Sequence, residues 1–325
     1  MSLRSTKLGT DVRRVLGGLL PLIDDPTLRD LMIHVQDGAG RLFLDRGSGA
    51  EHVRGWVVPE DMVNRFAIAL IAAGGRHLDE LNPCADVRLG DGIRVHAVLA
   101  PVAAFGTVVS IRVPATQAAS FDELVSAGLC GHATASMLAR DVVDRRNLLI
   151  TGGTGSGKTT LLTSLLSLVH PSERIITIED VAELRPRHDH HIALETRQTN
   201  IEGAGEVSLE RLLREALRMR PDRIVLGECR GAEIATLLAA LNTGHEGGAG
   251  TLHANSLRDV PARLEALGFL AGLPPEALAP QVVSAFHTIV HVSRHAGHHR
   301  IEQVGRFTLG ASSELGVEVR EIGSA

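Results

Sequence analysis

The chain has 325 residues, more than one ordinary domain needs, and its 44% apolar content with 34 glycines and 13 prolines is that of a globular protein, not a disordered or fibrous one. A formal net charge of -5 supplies no positive field for wrapping nucleic acid, and 2% aromatic residues, with no tyrosine, leave few rings to stack on bases. Cys84, Cys130 and Cys229 are an odd set without metal-ligand spacing, which suits a reducing compartment and buried thiols and not a disulfide framework.

Near the start, Arg13 and Arg14 precede an apolar run from Val15 to Ile23 that ends at Asp24-Asp25-Pro26 without a small-residue cleavage pattern. It reads as a surface helix, and no run approaches the ~18 apolar residues of a membrane span. A cytoplasmic chain, docked peripherally on the membrane, is the expectation. Leu31 to Val35 reads as a strand leading into a Gly-rich turn. The spacing predicts a helix from Pro59 to Ala73, with Met62, Phe66 and Leu70 on the buried face and Gly74-Gly75 as C-cap. Extended runs follow at Ala85 to Leu89, at Ile93 to Leu99 after the turn Gly90-Asp91-Gly92, and at Val108 to Val113, stopped by Pro114. Residues 1–114 are therefore expected to form a small α+β domain.

Small and polar residues make 115–122 a linker, and Ser120-Phe121-Asp122-Glu123 is a capping box that opens a second domain over 123–325. There the apolar strand Asn147 to Thr151, a glycine loop, the helix Thr159 to Val169 and the strand Arg174 to Ile178 spell a βαβ unit. The whole is expected to be α/β, with a mostly parallel sheet covered by helices.

The loop is Gly152-Gly153-Thr154-Gly155-Ser156-Gly157-Lys158-Thr159, a G-x-x-x-x-G-K-T pattern between a strand and a helix, the context that makes it a P-loop. Its backbone N–H groups and the helix N-terminus cradle phosphates, Lys158 reaches the β and γ phosphates, and the Thr159 hydroxyl supplies a Mg²⁺ ligand. Thr160 is placed to assist a phosphate oxygen. Hydrolysis also needs a carboxylate to polarise water, and two strands end in acids: Ile175 to Ile178 in Glu179-Asp180, and Arg223 to Gly227 in Glu228. Glu228 is expected on the strand beside the P-loop strand, near Mg²⁺, which leaves Glu179 as the candidate base. From Thr243 to Asn255 two histidines, His245 and His253, flank a glycine-rich stretch expected to be a flexible loop that lets one of them report a phosphate. His287, His291, His295, His298 and His299 fall on a pattern of alternating residues with Gly297 at its turn, which reads as an edge hairpin, not a metal site.

Four blocks resemble the secretion-type traffic ATPases of type II secretion, type IV secretion and type IV pilus machines: the P-loop, the Asp box Ile176 to Leu184, the atypical Walker B segment Leu217 to Gly231, and the His box Thr243 to Asn255. The resemblance implies an N-terminal α+β domain joined to a C-terminal RecA-like P-loop NTPase domain, with ATP and Mg²⁺ as cofactors. It implies Glu179 as catalytic carboxylate, Glu228 as Walker B acid, His245 and His253 as the His-box pair, and Arg94 and Arg112, with Arg88 as a weaker third, as arginines reaching phosphates. A homohexamer working on inner-membrane secretion or pilus platform proteins, without nucleic acid, is implied as well. The run Glu195 to Asn200 and the following Glu202-Gly203 resemble the tight-adherence (Tad/Flp) pilus and conjugal-transfer branch. Two rivals are a RecA-like nucleic-acid motor or helicase, and a regulatory subunit that binds nucleotide without hydrolysing it.

Overall fold

The computed structural model describes residues 3–114, 119–197, 205–295 and 298–322. The linker residues 115–118, the part of the branch-like run from 198 to 203 and the turn at Gly297 lie outside the described residues. The chain divides into two compact units, Met1–Thr116 and Gln117–Ala325.

In the first unit, helices α1 (Thr10–Leu16), α2 (Leu20–Ile23) and α3 (Glu60–Ala73) accompany strands β1 (Asp30–Gln36), β2 (Ala39–Asp45), β3 (Ala50–Pro59), β4 (Cys84–Arg88), β5 (Arg94–Val98) and β6 (Val108–Arg112). The strands form one sheet in the order β3-β2-β1-β6-β5-β4, antiparallel throughout. Asp37 and Gly38 both take positive φ, 52° and 72°, and close the tight turn between β1 and β2. Every second residue is buried, so Leu31, Ile33 and Val35 meet Leu42 and Leu44 in one core under α3. β2 and β3 are additional to the strands the sequence indicates. β3 escapes pattern reading because none of its side chains is fully buried and its pairing with β2 shifts register between Arg41 and Phe43.

The buried stripe of α3 is Val63, Ala67, Leu70 and Ile71, with Met62 48% exposed, which corrects the Met62-Phe66-Leu70 face. The helix lies so near β2 that a Cβ on Gly40 would sit 2.3 Å from Val63 Cγ2, and such close approach selects the face with the smaller side chains.

The second unit begins with α4 (Phe121–Ser126), where the capping box is formed: Glu123 N donates to Ser120 Oγ at 3.2 Å and Ser120 N to Glu123 Oε2 at 2.7 Å. Then come α5 (His132–Val143), β7 (Leu148–Gly152), α6 (Lys158–Leu166), β8 (Ile175–Glu179), β9 (His191–Glu195), α7 (Leu209–Ala216) and β10 (Arg223–Leu226). The remainder is α8 (Glu233–Leu241), β11 (Ala249–His253), α9 (Val260–Leu270), α10 (Pro275–Ala285), β12 (Thr288–His295), β13 (His298–Leu309) and β14 (Leu315–Glu321). Their sheet has the order β14-β13-β12-β7-β11-β10-β8-β9, parallel from β12 to β9, with β13 and β14 antiparallel. Helices cover both faces: Leu148 and Ile150 pack with residues of α5 and α6, whereas Leu149 packs with those of α8 and α10. β12 is therefore no edge strand. It lies directly beside β7 with its first five residues buried, because Thr288 to His291 pair with Leu148 to Thr151.

Candidate functional site

β7 runs out at Gly152 and α6 begins at Lys158, so the loop between them sits at a helix N-terminus. Gly155 and Gly157 take φ of 69° and 99°, a left-handed backbone that glycine alone adopts without strain, and the chain curls to turn successive N–H groups inward. Lys158 is 8% exposed, and its Nζ donates to the carbonyls of Gly152 at 2.9 Å and Gly153 at 2.8 Å. Burial lowers its pKa, and the Glu228 carboxylate opposes that shift. Thr159 and Thr160 are half-buried in the first turn of α6.

The strand register carries the other groups to the same edge. His253 pairs with Gly152 across β11 and β7, and Leu226 pairs with Ile178 across β10 and β8, so Glu179 and Glu228 both leave the carboxyl ends of parallel strands. That edge is where α/β sheets bind ligands. Contrary to the expectation for Glu228, β10 does not neighbour β7, because β11 lies between them. His253 spans the gap: its Nδ1 is 3.4 Å from Lys158 Nζ and its Nε2 is 3.1 Å from Glu228 Oε1. Burial, then the Lys158 charge, lowers the His253 pKa, with Glu228 opposing. A neutral ring that accepts from Lys158 at Nδ1 and donates from Nε2 to Glu228 satisfies both contacts.

Glu179 is 6% exposed, and its carboxylate accepts N–H bonds from Glu183 at 3.2 Å and from Leu184 at 3.2 and 3.1 Å. Burial pushes its pKa up to about 7 in spite of those bonds. Gly227 provides the space, since a Cβ there would lie 2.4 Å from Glu179 Cγ.

His245 is not brought to this edge. Its Nδ1 lies 3.2 Å from the Ala240 carbonyl, and it precedes β11, whereas His253 ends it. Between the two histidines a short turn leads into β11, which is buried from Ala249 to Leu252, in place of the expected flexible loop. Its glycines serve close packing: a Cβ on Gly248 would lie 2.4 Å from Leu241 Cδ2, and one on Gly250 3.2 Å from Cys229 Sγ.

Within the first unit, Arg88 pairs with Arg94 and Arg94 with Arg112, and the row continues through Asp30 to Asp45. Directly paired residues share a face. Their sequence neighbours Val87, Val95, Ile111, Leu31 and Leu44 are buried on the other. Burial raises the Asp30 pKa, and the Arg112 charge opposes it.

Sequence reasoning missed two histidines of the hairpin. His291 is buried with Nδ1 3.0 Å from Thr151 Oγ1, and His299 places Nδ1 2.8 Å from the Ser156 carbonyl. Nothing local in the sequence signals either contact, which depends on β12 lying beside β7.

The loop fits a nucleoside triphosphate. Besides the curled N–H groups and Lys158, the Ser156 hydroxyl is buried without a hydrogen-bond partner, and Thr159 with Glu228 offers the oxygen donors that Mg²⁺ prefers. A parallel sheet with such a loop at its carboxyl edge defines a P-loop nucleotide-binding domain. Residues 19–312 match the sequence model of the family described as type II/IV secretion system protein. The chain belongs to that family and is an ATPase of it. It is 47% identical over 297 residues, 89% of this chain and 83% of the relative, to a protein assigned to conjugal transfer in Mycobacterium tuberculosis. To the VirB11 protein of Agrobacterium fabrum it is 30% identical over 332 residues, 93% of this chain and 94% of the relative. The solved structure of the pilus retraction motor PilT with bound ADP shares the fold, with a TM-score of 0.60 at 21% identity over 94% of this chain and 83% of that one. Among the described residues no helix is long and apolar enough to cross a membrane.

Proposed function

We propose that the chain hydrolyses Mg-ATP to drive a membrane-bound secretion or pilus-assembly machine of the conjugal-transfer or tight-adherence (Tad/Flp) kind, working as a homohexamer at the cytoplasmic face of the membrane. The observation that carries this reading is the bridge from Lys158 through His253 to Glu228. It links the phosphate loop to the ends of β11 and β10, so a change at the γ phosphate is felt at Glu228.

In this reading Gly152 to Thr159 hold the phosphates, Lys158 leaves the Gly152 and Gly153 carbonyls for the β and γ oxygens, and Thr160 steadies a phosphate oxygen. Thr159 and Glu228 would hold Mg²⁺, whose positive charge would supply electrostatic stabilisation to the phosphates when bound. Glu179 takes the proton of the attacking water. Burial, which pushes its pKa up to about 7, suits the carboxyl to exchange a proton at neutral pH. Arg94 and Arg112, with Arg88 in the same row, act as arginine fingers on the triphosphate of a neighbouring copy.

Steady-state phosphate release with Mg²⁺ and saturating ATP tests the reading. Nucleotide binding without turnover would overturn the motor in favour of a regulatory switch. Sedimentation of only monomer with a Mg-ATP analogue would remove the hexamer and the fingers with it.

A further inference from the structure

We propose that His299 is a positioning residue that sets the exit of the phosphate loop from the flank opposite His253. The inference rests on the nucleotide-binding reading above and adds to it a residue outside the P-loop and the three other sequence blocks.

The loop leans on the β12–β13 hairpin at both ends. Where Gly152 would carry a Cβ, the Val292 carbonyl oxygen of β12 lies 2.2 Å away, and where Gly157 would carry one, the His299 ring of β13 lies 2.8 Å away. From that position His299 Nδ1 donates to the Ser156 carbonyl at 2.8 Å. Nδ1 must carry the proton, since a carbonyl has none to give. The peptide unit is planar and trans, so the Ser156 C=O and the Gly157 N–H point in opposite directions. Holding the carbonyl against the hairpin therefore holds the Gly157 N–H towards the concave side, where phosphate oxygens are received. At Gly157 φ is 99°, a conformation with a soft alternative for a residue without a side chain, so an outside anchor removes freedom the loop would otherwise have to lose on binding. On the other flank His253 meets Lys158. The two histidines thus grip the loop from the two strands, β11 and β13, that lie on either side of the β7–β12 pair. His299 acts through the loop backbone and not on the reacting atoms.

Two substitutions separate the hydrogen bond from the bulk of the ring. His299→Asn puts an amide N–H near the place of Nδ1, and His299→Leu fills similar space with no donor. Binding of a fluorescent ATP analogue with Mg²⁺ and the split between KM and kcat are measured for both, beside the unaltered protein and Lys158→Ala. His299→Leu is expected to weaken binding and raise KM about five- to tenfold, the worth of one hydrogen bond, with a smaller change in kcat. His299→Asn is expected to recover most of that loss. Equal affinity for His299→Leu and the unaltered protein, or equal losses in both variants, would overturn the proposal. Loss of the folded state in both, seen by thermal denaturation, would make the ring a packing element and overturn it too. Should the unaltered protein bind no nucleotide, the reading of the loop itself fails, an outcome distinct from a silent His299→Leu.

Discussion

Strands β1 and β2 bury every second side chain, whereas β7, β8 and β10 bury all of theirs. Helices cover one face of the first sheet and leave the other for polar groups, so Arg88, Arg94 and Arg112 form a row across strands. The second sheet is covered on both faces, and only its ends are open to chemistry. Gly152, Glu179, Glu228 and His253 accordingly gather at one edge. In the antiparallel unit a candidate group is found by its row, and in the parallel unit by its distance from a strand terminus.

The sharpest way to break this contrast is at the open edge. Lys158→Ala should lower ATP turnover by on the order of a thousandfold or more, measured as steady-state phosphate release, because the Lys158 ammonium supplies positive charge directly at the loop. Glu179→Gln should cost about 10²- to 10⁴-fold in turnover and leave nucleotide affinity intact, and near-normal turnover would take the base away from Glu179.

Across the first sheet the test compares neighbours. Ile111→Ala, inside the core, should cost about 2–5 kcal/mol in denaturant unfolding. Arg112→Ala, one residue on and exposed, should change stability by no more than about 0.5 kcal/mol yet lower turnover at least about tenfold. Similar unfolding costs for both would mean that the arginine row is structural.

Acidity sharpens the comparison further. Glu179 holds its proton more tightly when folded, with a pKa of about 7 against an ordinary 4.5. Its stabilising contribution is therefore complete below the ordinary value and is lost as pH rises through the folded one. Between about pH 5 and about pH 8 the Tm of the unaltered protein should fall by more than that of Glu179→Gln, and parallel profiles would contradict a buried, proton-holding carboxyl. The smallest effect is expected at Ser120→Ala, which removes the α4 capping box and should cost about 1 kcal/mol in a thermal melt.

The P-loop, the capping box and the acids at the ends of β8 and β10 were legible because each is written in a few consecutive residues: a glycine spacing, a serine three before a glutamate, an apolar run closed by a carboxylate. The stripe of α3 was legible only as a period. Its phase needed Gly40 underneath, since Val63 rather than Met62 fits the space that glycine leaves.

Sequence by itself determined the two units' classes, the phosphate loop and the acids. Tertiary structure decided the rest of the site: that β11 separates β10 from the loop strand, that His253 closes the gap while His245 lies before the start of the same strand, and that the hairpin bearing His299 lies beside the loop. The physical reason is range. Lys158 and His253 are 95 residues apart, and Ser156 and His299 143, so their meeting depends on the order in which strands pair, which no local spacing of side chains encodes.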